Sequence, residues 1–304
     1  FQDTHDDVLT PFQQNGIAGI LGKTLELPAQ RHSGEQFVME LAVSQITYQG
    51  ELRFIAVIRD ISERKRIEKM KHEFVSTVSH ELRTPLTAIA GALGLINGGA
   101  LGAVPVAIQE MLRIAQGNSQ RLGELINDLL DMDKLIAGKM TFDIRLQPLQ
   151  KLLEAAIEQN QPYAEQYGVQ LQLVQPAGDL QVRVDSQRLG QVLANLLSNA
   201  AKFSPEGSAV EVTVVTCNGH VRVSVRDQGP GIPQAFRSRI FSKFSQADAT
   251  DTRQKGGTGL GLAISKQLIE QMGGQIGFDS VEGQGSIFWF ELPLHTTSTQ
   301  RANL

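Results

Sequence analysis

HELRTPL, residues 80–86, lies within a run of apolar residues that recur at steps of three and four positions. This spacing places the apolar side chains on one face of an α-helix and is typical of a coiled-coil or bundle seam. A charge-rich segment, residues 62–71, precedes the motif, and we interpret it as a solvated face of the same stiff helix. Pro85 removes one backbone hydrogen bond, so we expect the helix to soften just after His80. The seam consists of Ile67, Met70, Phe74, Val78 and Leu82.

A second helix is predicted at residues 106–136, because glycines and a proline between residues 97 and 105 end the first one. Two long helices with a short connection form an antiparallel hairpin. One hairpin cannot cover both of its apolar faces, whereas two hairpins can do so as a four-helix bundle. We therefore predict a homodimer. The apolar face of the second helix comprises Ile108, Met111, Leu112, Leu122, Leu125, Ile126, Leu129 and Leu130.

Residues 1–62 are predicted to be a small β-rich region. Segments 37–43 and 52–58 alternate as strands do, and residues 48–51 suit a hairpin connection between them. Three strands could form here, with a core that is small for independent folding.

The pattern changes after residue 148, where helices and strands mix. This mixture favours an α/β two-layer sandwich. Asn218-Gly219 is a strong hairpin signal, and Gly273-Gly274 suits the end of a helix. Helices are predicted at residues 149–167, 185–202 and 260–272, and strands at 169–173, 180–184, 210–217, 221–225, 275–278 and 286–292.

The composition excludes several classes of protein. A net charge of -4 over 304 residues argues against a general nucleic-acid binder. The single cysteine, Cys217, excludes a disulfide within the chain, fits a reducing cytoplasmic location, and is expected to be a buried strand residue. Residues 84–109 carry no charge, but prolines and glycines interrupt them, so we predict no membrane segment in this chain. The chain does not begin with Met, so a longer, membrane-anchored protein of which it is the cytoplasmic part stays open.

Two asparagines and a lysine share one face of the helix predicted at residues 185–202. Asn195 and Asn199 are four positions apart, and Lys202 follows at the end of that face. Amide oxygens suit Mg²⁺, a hard cation that takes few protein ligands together with phosphate oxygens. A lysine can then neutralise phosphate charge. Taken alone, the asparagines are better explained as helix caps.

Residues 227–231, DQGPG, follow a predicted strand. Asp227 at the strand end can accept a hydrogen bond from an exocyclic amine such as that of adenine. Gly229 and Gly231 allow the backbone to approach a flat ring closely. Taken alone, this segment is explained as a turn.

Residues 256–261, GGTGLG, open a predicted helix, where backbone N–H groups favour phosphate oxygens. A Rossmann interpretation fails because residues 248–255 are polar rather than a strand. A Walker interpretation fails because neither Lys-Ser nor Lys-Thr follows the glycines. The polar segment better suits a mobile lid over a nucleotide. The candidate phosphate-binding residues are Gly257, Thr258, Gly259, Leu260 and Gly261.

Found together and in this order, the motifs make residues 63–294 resemble the sensor histidine kinases of two-component systems. HELRTPL is similar to the family's phosphoacceptor box, and GQGS at residues 283–286 to its closing glycine element. The asparagine box matches Asp185, Arg188, Gln191, Asn195, Asn199 and Lys202; the first glycine box Asp227, Gly229 and Gly231; the phenylalanine box Phe241 and Phe244; and the second glycine box Gly257, Gly259 and Gly261.

The resemblance implies an α+β multidomain fold. Residues 1–62 resemble the C-terminal part of a PAS sensor domain, and residues 63–140 a signalling helix followed by a dimerisation and phosphotransfer hairpin. Residues 148–294 resemble the ATP-binding fold shared with gyrase, chaperone and mismatch-repair ATPases. Residues 295–304 form a polar tail.

The resemblance also implies the chemistry. His80 takes the γ-phosphoryl group of ATP, with Glu81 as general base. Mg²⁺ is held by Asn199, together with Asn195. The phosphoryl group then passes to an aspartate in the receiver domain of a response regulator. Thr84 shares the helical face of His80 and helps when that regulator is dephosphorylated.

Two alternatives remain open from the sequence. The first is a conformational ATPase of the gyrase and chaperone class, against which the His80 motif argues. The second is a dimeric sensor or scaffold without activity, against which the complete set of nucleotide residues argues.

Overall fold

The computed structural model describes residues 21–100, 102, 104–174, 177–245 and 258–295. The chain divides into two compact units, one ending at Val78 and one beginning at Ser79. The expected lid, Gly257 and most of the polar tail lie outside the described residues. None of the described helices combines the length and the apolar character that crossing a bilayer requires.

The first unit contains a three-stranded antiparallel sheet. Strands β1 (Thr24–Gln30), β2 (Gln36–Tyr48) and β3 (Glu51–Asp60) pair in that order. Gln49 and Gly50 have φ of 52° and 82° and form a tight turn at the predicted hairpin. Two successive residues of positive φ match the twist of the strands that they join.

The core of this first unit is small. Val43 and Ile61 are its only buried apolar residues within the described part of the chain, and every residue of β3 is exposed. A sheet with so little buried surface gains little free energy from the hydrophobic effect. The expectation of a weak core is therefore confirmed.

The predicted helical hairpin is present. Helix α1 (Ser62–Asn97) carries the charge-rich segment and His80, and helix α2 (Val106–Ile136) follows the glycine-rich connection. Helix α1 continues without a break through Pro85, where softening was expected to appear. Arg83 Nη2 on α1 donates to Asn127 Oδ1 on α2 at 2.9 Å, which fixes the register of the two helices near His80.

Much of the apolar surface of the hairpin is uncovered in the single chain. Such surface on two neighbouring helices is what a second hairpin covers in a four-helix bundle. The exposed apolar residues after Ser79 include Leu82, Ile89 and Leu95 on α1, and Val106, Ile108, Met111, Ile114, Leu122 and Leu129 on α2.

The rest of the second unit is the predicted sandwich. Its strands are β4 (Arg145–Pro148), β5 (Gln170–Leu173), β6 (Gln181–Val184), β7 (Ala209–Cys217), β8 (His220–Arg226), β9 (Gln275–Val281) and β10 (Gly285–Pro293). The main sheet has the order β5-β7-β8-β10-β9, with β5 parallel to β7 and all other pairs antiparallel. A separate pair joins β4 to β6 in antiparallel fashion. The helices are α3 (Leu149–Glu165), α4 (Ser186–Phe203), α5 (Gln234–Arg237) and α6 (Gly261–Gln271).

The sandwich has one continuous apolar core between the sheet and its helices. Alternate residues of the central strands face this core, as expected for a sheet covered on one side. Its fully buried members include Val210, Val212, Val221, Val223 and Phe290 from the strands and Leu189, Val192, Leu193, Leu268 and Ile269 from the helices.

The structure corrects the expectation for Cys217. The buried residues of β7 are the even-numbered Val210, Val212 and Val214, so the odd-numbered Cys217 points away from the core. It is exposed, one residue before the Asn218-Gly219 turn that the sequence predicts. Val215, Thr216 and Cys217 are all exposed, so the buried alternation of β7 ends at Val214, and the error lay in treating the whole apolar run as buried.

Asp185 caps the helix that carries the asparagines. Its carboxylate accepts from the backbone N–H groups of Gln187 at 3.0 Å and Arg188 at 3.1 Å, and from Asp143 N at 2.9 Å. Partial burial raises the pKa of this carboxyl, but the three backbone donors outweigh burial and hold the pKa below its usual range.

We expect Asp185→Ala to lower the free energy of unfolding by about 1–2 kcal/mol, because the start of α4 loses its cap. Asp185→Asn should lose less, since an amide oxygen also caps. The lowered pKa means that the carboxylate stabilises the fold above the unfolded-state value and loses this effect as pH falls through the folded-state value. Urea denaturation at neutral and acidic pH should therefore show a smaller Ala penalty in acid; an equal penalty contradicts the assignment.

Candidate active site

Helix α4 presents both core and polar residues. Leu189, Val192, Leu193 and Leu196 are buried against the sheet. Asn195, Asn199 and Lys202 are half-buried on another face of the same helix. The two asparagines are thus held in place by the packing of their own helix.

The asparagines form a chain of hydrogen bonds that leads to α6. Asn199 Nδ2 donates to Asn195 Oδ1 at 3.3 Å, and Asn195 Nδ2 donates to Ser265 Oγ at 2.9 Å. A Cβ atom at Gly261, the first residue of α6, would lie 2.3 Å from Asn195 Oδ1. A side chain at position 261 would therefore displace the Asn195 amide.

Asp227 lies at the end of β8 and is 6% exposed. Its Oδ1 accepts from Gly229 N at 2.8 Å and from Ser286 N at 3.1 Å. Burial raises the pKa of Asp227, and the two backbone donors only partly offset this effect. Both hydrogen bonds use Oδ1, and within the described residues Oδ2 accepts none.

Gly231 in the DQGPG loop and Gly285 after β9 lie where a side chain would collide with the backbone. A Cβ atom at Gly231, whose φ is +72°, would lie 2.3 Å from the Val281 carbonyl oxygen. A Cβ atom at Gly285 would lie 2.2 Å from the Asp227 carbonyl oxygen. Glycines are therefore needed to bring the turn between β9 and β10 against the loop that holds Asp227.

The described part of the second glycine segment opens α6. Thr258 Oγ1 accepts from Leu260 N at 3.1 Å, and no side chain of the described residues caps the helix at Leu260. A Cβ atom at Gly259, whose φ is +68°, would lie 3.0 Å from the Cα and the carbonyl carbon of Phe244, so glycine leaves the room that this backbone occupies. The first N–H groups of a helix without such a cap favour an anion such as a phosphate oxygen.

The phenylalanine pair lies beside this segment. Phe241 packs edge-on against Phe278 with ring centroids 6.0 Å apart. Phe244 is 66% exposed and has a φ of 58°, which is uncommon for a bulky side chain. The backbone turn at Phe244 lies in the space that a side chain at position 259 would fill.

His80, Glu81 and Thr84 are exposed on α1. Among the described residues, no hydrogen bond or ion pair joins His80 to Asn195, Asn199 or Asp227. The structure therefore groups the predicted site residues into two places, a phosphoacceptor surface on the hairpin and a nucleotide site on the sandwich.

Helix α2 contacts the sandwich through two aspartates that the sequence did not indicate. Asp128 Oδ2 accepts from Thr258 Oγ1 at 2.8 Å, and Asp131 Oδ2 accepts from Gln191 Nε2 at 2.8 Å. Arg188 lies 3.7 Å from the same Asp131 oxygen. Burial raises the pKa of Asp128, the Thr258 hydroxyl partly opposes this, and the charge of Asp131 adds to it. Keeping the Asp128 carboxylate charged in this contact therefore costs electrostatic free energy.

We expect Asp128→Asn to preserve or strengthen this contact, because an amide oxygen still accepts from Thr258 without the cost of burying a charge. Asp128→Ala should weaken it by about one hydrogen bond, a roughly fivefold rise in local opening. Hydrogen exchange of the amides around residues 258–264 measures that opening. A rise of the same size in both variants contradicts the hydrogen bond and assigns the contact to the charge.

Comparison with known proteins agrees with this arrangement. Residues 70–138 match the His Kinase A (phospho-acceptor) domain, and residues 184–296 match the histidine kinase-, DNA gyrase B- and HSP90-like ATPase domain. Sensor histidine kinase WalK of Bacillus subtilis (strain 168) is 36% identical over 79% of this chain and 39% of its own length. The circadian input-output histidine kinase CikA of Synechococcus elongatus is 39% identical over 74% of this chain and 30% of its own length.

A solved structure shows the same fold. The crystal structure of full-length ShkA in complex with AMPPNP is 33% identical, with a TM-score of 0.60 over 74% of this chain and 46% of that chain. The present chain thus spans about two fifths of the length of WalK and less than half of ShkA. With both domain types in the order of the family, the chain belongs to the sensor histidine kinases.

Proposed function

We propose that this chain transfers the γ-phosphoryl group of ATP to His80 and passes it on to an aspartate of a response-regulator receiver domain. The observation that carries the proposal is an exposed histidine on a helical hairpin, in the same unit as a nucleotide-type site built around buried Asp227. ATP chemistry and a receiver partner both place this activity in the cytoplasm.

Asp227 is proposed to recognise the adenine ring. Its Oδ1 is fixed by two backbone donors, and Oδ2 can accept from the exocyclic amine. Gly229 and Gly231 allow the ring to approach the backbone. The phosphates are proposed to lie at the N-terminus of α6, among residues 257–261, with Lys202 neutralising part of their charge.

Asn199 is proposed as the protein ligand for Mg²⁺. Its carboxamide supplies a hard oxygen, and its nitrogen is already used as a donor to Asn195. The residues present therefore fit such an ion, and Asn195 is the second candidate ligand. When bound, Mg²⁺ supplies charge neutralisation at the phosphate oxygens.

His80 is proposed to act as the nucleophile. A ring nitrogen of the neutral imidazole attacks the γ-phosphorus, the bond to the bridging oxygen breaks, and ADP leaves. The ring proton goes to Glu81 as general base. Because neighbours in a helix do not face each other, Glu81 must reach sideways to do this. Thr84, one turn after His80, is proposed to assist dephosphorylation of the partner regulator.

Phosphoryl transfer requires the nucleotide site to approach His80. In this structure the sandwich contacts α2 instead, through the hydrogen bonds of Asp128 and Asp131 and through Met132 and Leu135, which join its apolar core. We propose that the hydrogen bonds of the two aspartates open before transfer. We also propose that the uncovered apolar face of the hairpin forms a homodimer, whose four helices present the histidines to the receiver domain.

The wild-type chain incubated with Mg²⁺ and γ-labelled ATP should become labelled, and His80→Gln should abolish the label. Free phosphate with an unlabelled protein, unchanged in His80→Gln, would instead support a conformational ATPase. Absence of any ATP binding would support a scaffold.

Glu81→Ala should lower the rate of labelling by at least about 100-fold, the usual contribution of a general base. ATP affinity should not change, since Glu81 lies on α1 and outside the nucleotide site. A labelling rate equal to that of the wild type contradicts the assignment of Glu81 as the base.

Nucleotide affinity should fall on acidification earlier than for an ordinary aspartate. The pKa of Asp227 is raised above its usual value of 3.8, so the carboxylate protonates at higher pH and loses an acceptor for adenine. The raised pKa has the opposite effect on the stability of the fold. The folded protein gains stability as pH falls and Asp227 is protonated, because a neutral carboxyl costs less to bury than a charged one. Titration calorimetry with ATP should therefore show weakening in a pH range where the unfolding temperature is maintained. Parallel loss of both contradicts a local role for Asp227.

A further inference from the structure

We infer that Ser265 is a positioning residue for the metal-nucleotide site, acting through Asn195 on the carboxamide of Asn199. The inference rests on the proposed function, since it concerns the residue proposed to hold Mg²⁺. Ser265 belongs to none of the motifs of the sequence analysis, and it follows Gly261 by one helical turn on α6.

Ser265 is built into the protein rather than exposed to solvent. It is 1% exposed, and its oxygen accepts from Asn195 Nδ2 at 2.9 Å. In this bond the Ser265 oxygen is the acceptor and the Asn195 nitrogen is the donor. Ser265 therefore holds Asn195 with its nitrogen towards α6.

This orientation affects Asn199. With its nitrogen on Ser265, Asn195 presents its oxygen to Asn199, whose Nδ2 donates to it at 3.3 Å. Asn199 consequently keeps its own oxygen free of Asn195. If Asn195 were reversed, its nitrogen would face Asn199 and attract the Asn199 oxygen. Asn199 would then present an amino group to the cation, which repels it.

The glycine at the start of α6 closes the arrangement. Because a Cβ atom at Gly261 would lie 2.3 Å from Asn195 Oδ1, a side chain at this position would displace the amide. The orientation of Asn195 therefore depends on α6 at two positions one turn apart. Its side chain is used by the protein, which favours an orienting role over direct coordination of the metal.

The test measures nucleotide binding rather than labelling. A fluorescent ATP analogue is titrated into the full chain at a series of Mg²⁺ concentrations, and separately without divalent cation. Ser265→Ala should raise the Mg²⁺ concentration for half-maximal binding about five- to tenfold, as expected for the loss of one hydrogen bond. Affinity for the analogue without Mg²⁺ should stay within about twofold, since Asp227 does not depend on this chain of bonds.

Ser198→Ala is the matched control. Ser198 lies on α4, as Asn195 does, and its hydroxyl donates to the Asn195 backbone carbonyl at 3.2 Å. Its replacement by alanine also removes one hydroxyl group near Asn195, but it leaves the hydrogen bonds between the side chains of Ser265, Asn195 and Asn199 in place. Its Mg²⁺ requirement should equal that of the wild type. Ser265→Cys, which nearly preserves volume but is a weak acceptor, should shift in the same direction as Ser265→Ala and guards against a folding defect.

An equal shift in Ser198→Ala and Ser265→Ala overturns the inference, as does an equal loss of affinity with and without Mg²⁺, which indicates general damage. A wild-type chain whose nucleotide binding does not respond to Mg²⁺ overturns both the metal proposal and this inference. Mg²⁺-dependent binding without labelling of His80 contradicts the proposed phosphoryl transfer alone and leaves the expected shift in Ser265→Ala unchanged.

Discussion

The contact between the apolar face of α4 and the five-stranded sheet is the one on which the sandwich depends. Leu189, Val192, Leu193, Leu196 and Leu197 are each at most 1% exposed. A rotation of α4 would expose this face at a cost of roughly 25 cal/mol per Å². The packing of the apolar face therefore also fixes the position of the polar face of α4, without help from the hydrogen bonds of the polar residues. The site inherits its rigidity from the core, and the hydrogen bonds to α6 only have to set the orientation of the amides.

The hairpin follows a different rule. Its helices leave apolar residues exposed, and its histidine is on the surface, where a second hairpin and a partner protein can reach it. Asp128 and Asp131 join α2 to the sandwich through polar contacts, and Met132 and Leu135, at the end of α2, belong to the apolar core of the sandwich. The polar contacts are weak compared with that core, so they are the part of the connection that can open repeatedly. A stable nucleotide domain and hydrogen bonds to α2 that can be released are both needed for the proposed phosphoryl transfer between separate elements.

Local patterns predicted what local forces decide. The glycine-rich break and the apolar face that follows it predicted a second helix at residues 106–136, which are the ends of α2, and Asn218-Gly219 predicted the turn between β7 and β8. The contacts of Asn195 with Ser265 and of Asp128 with Thr258 join residues 70 and 130 positions apart, and they depend on how helices pack. For the contact of Asn195 with Ser265, the sequence offered one signal, which is the spacing of Gly261 and Ser265 by one helical turn. Strand β4 was missed because four residues ending in proline carry too little alternation, and its partner β6 lies far along the chain.

The most direct test of the central claim is the position of the phosphoryl group after incubation with Mg²⁺ and ATP. Tandem mass spectrometry of peptides kept at neutral or alkaline pH should find one phosphoryl group, on His80, and a brief acid treatment should remove it. An acid-stable phosphoryl group on a serine or threonine, or an unmodified chain with phosphate accumulating in solution, would contradict the account.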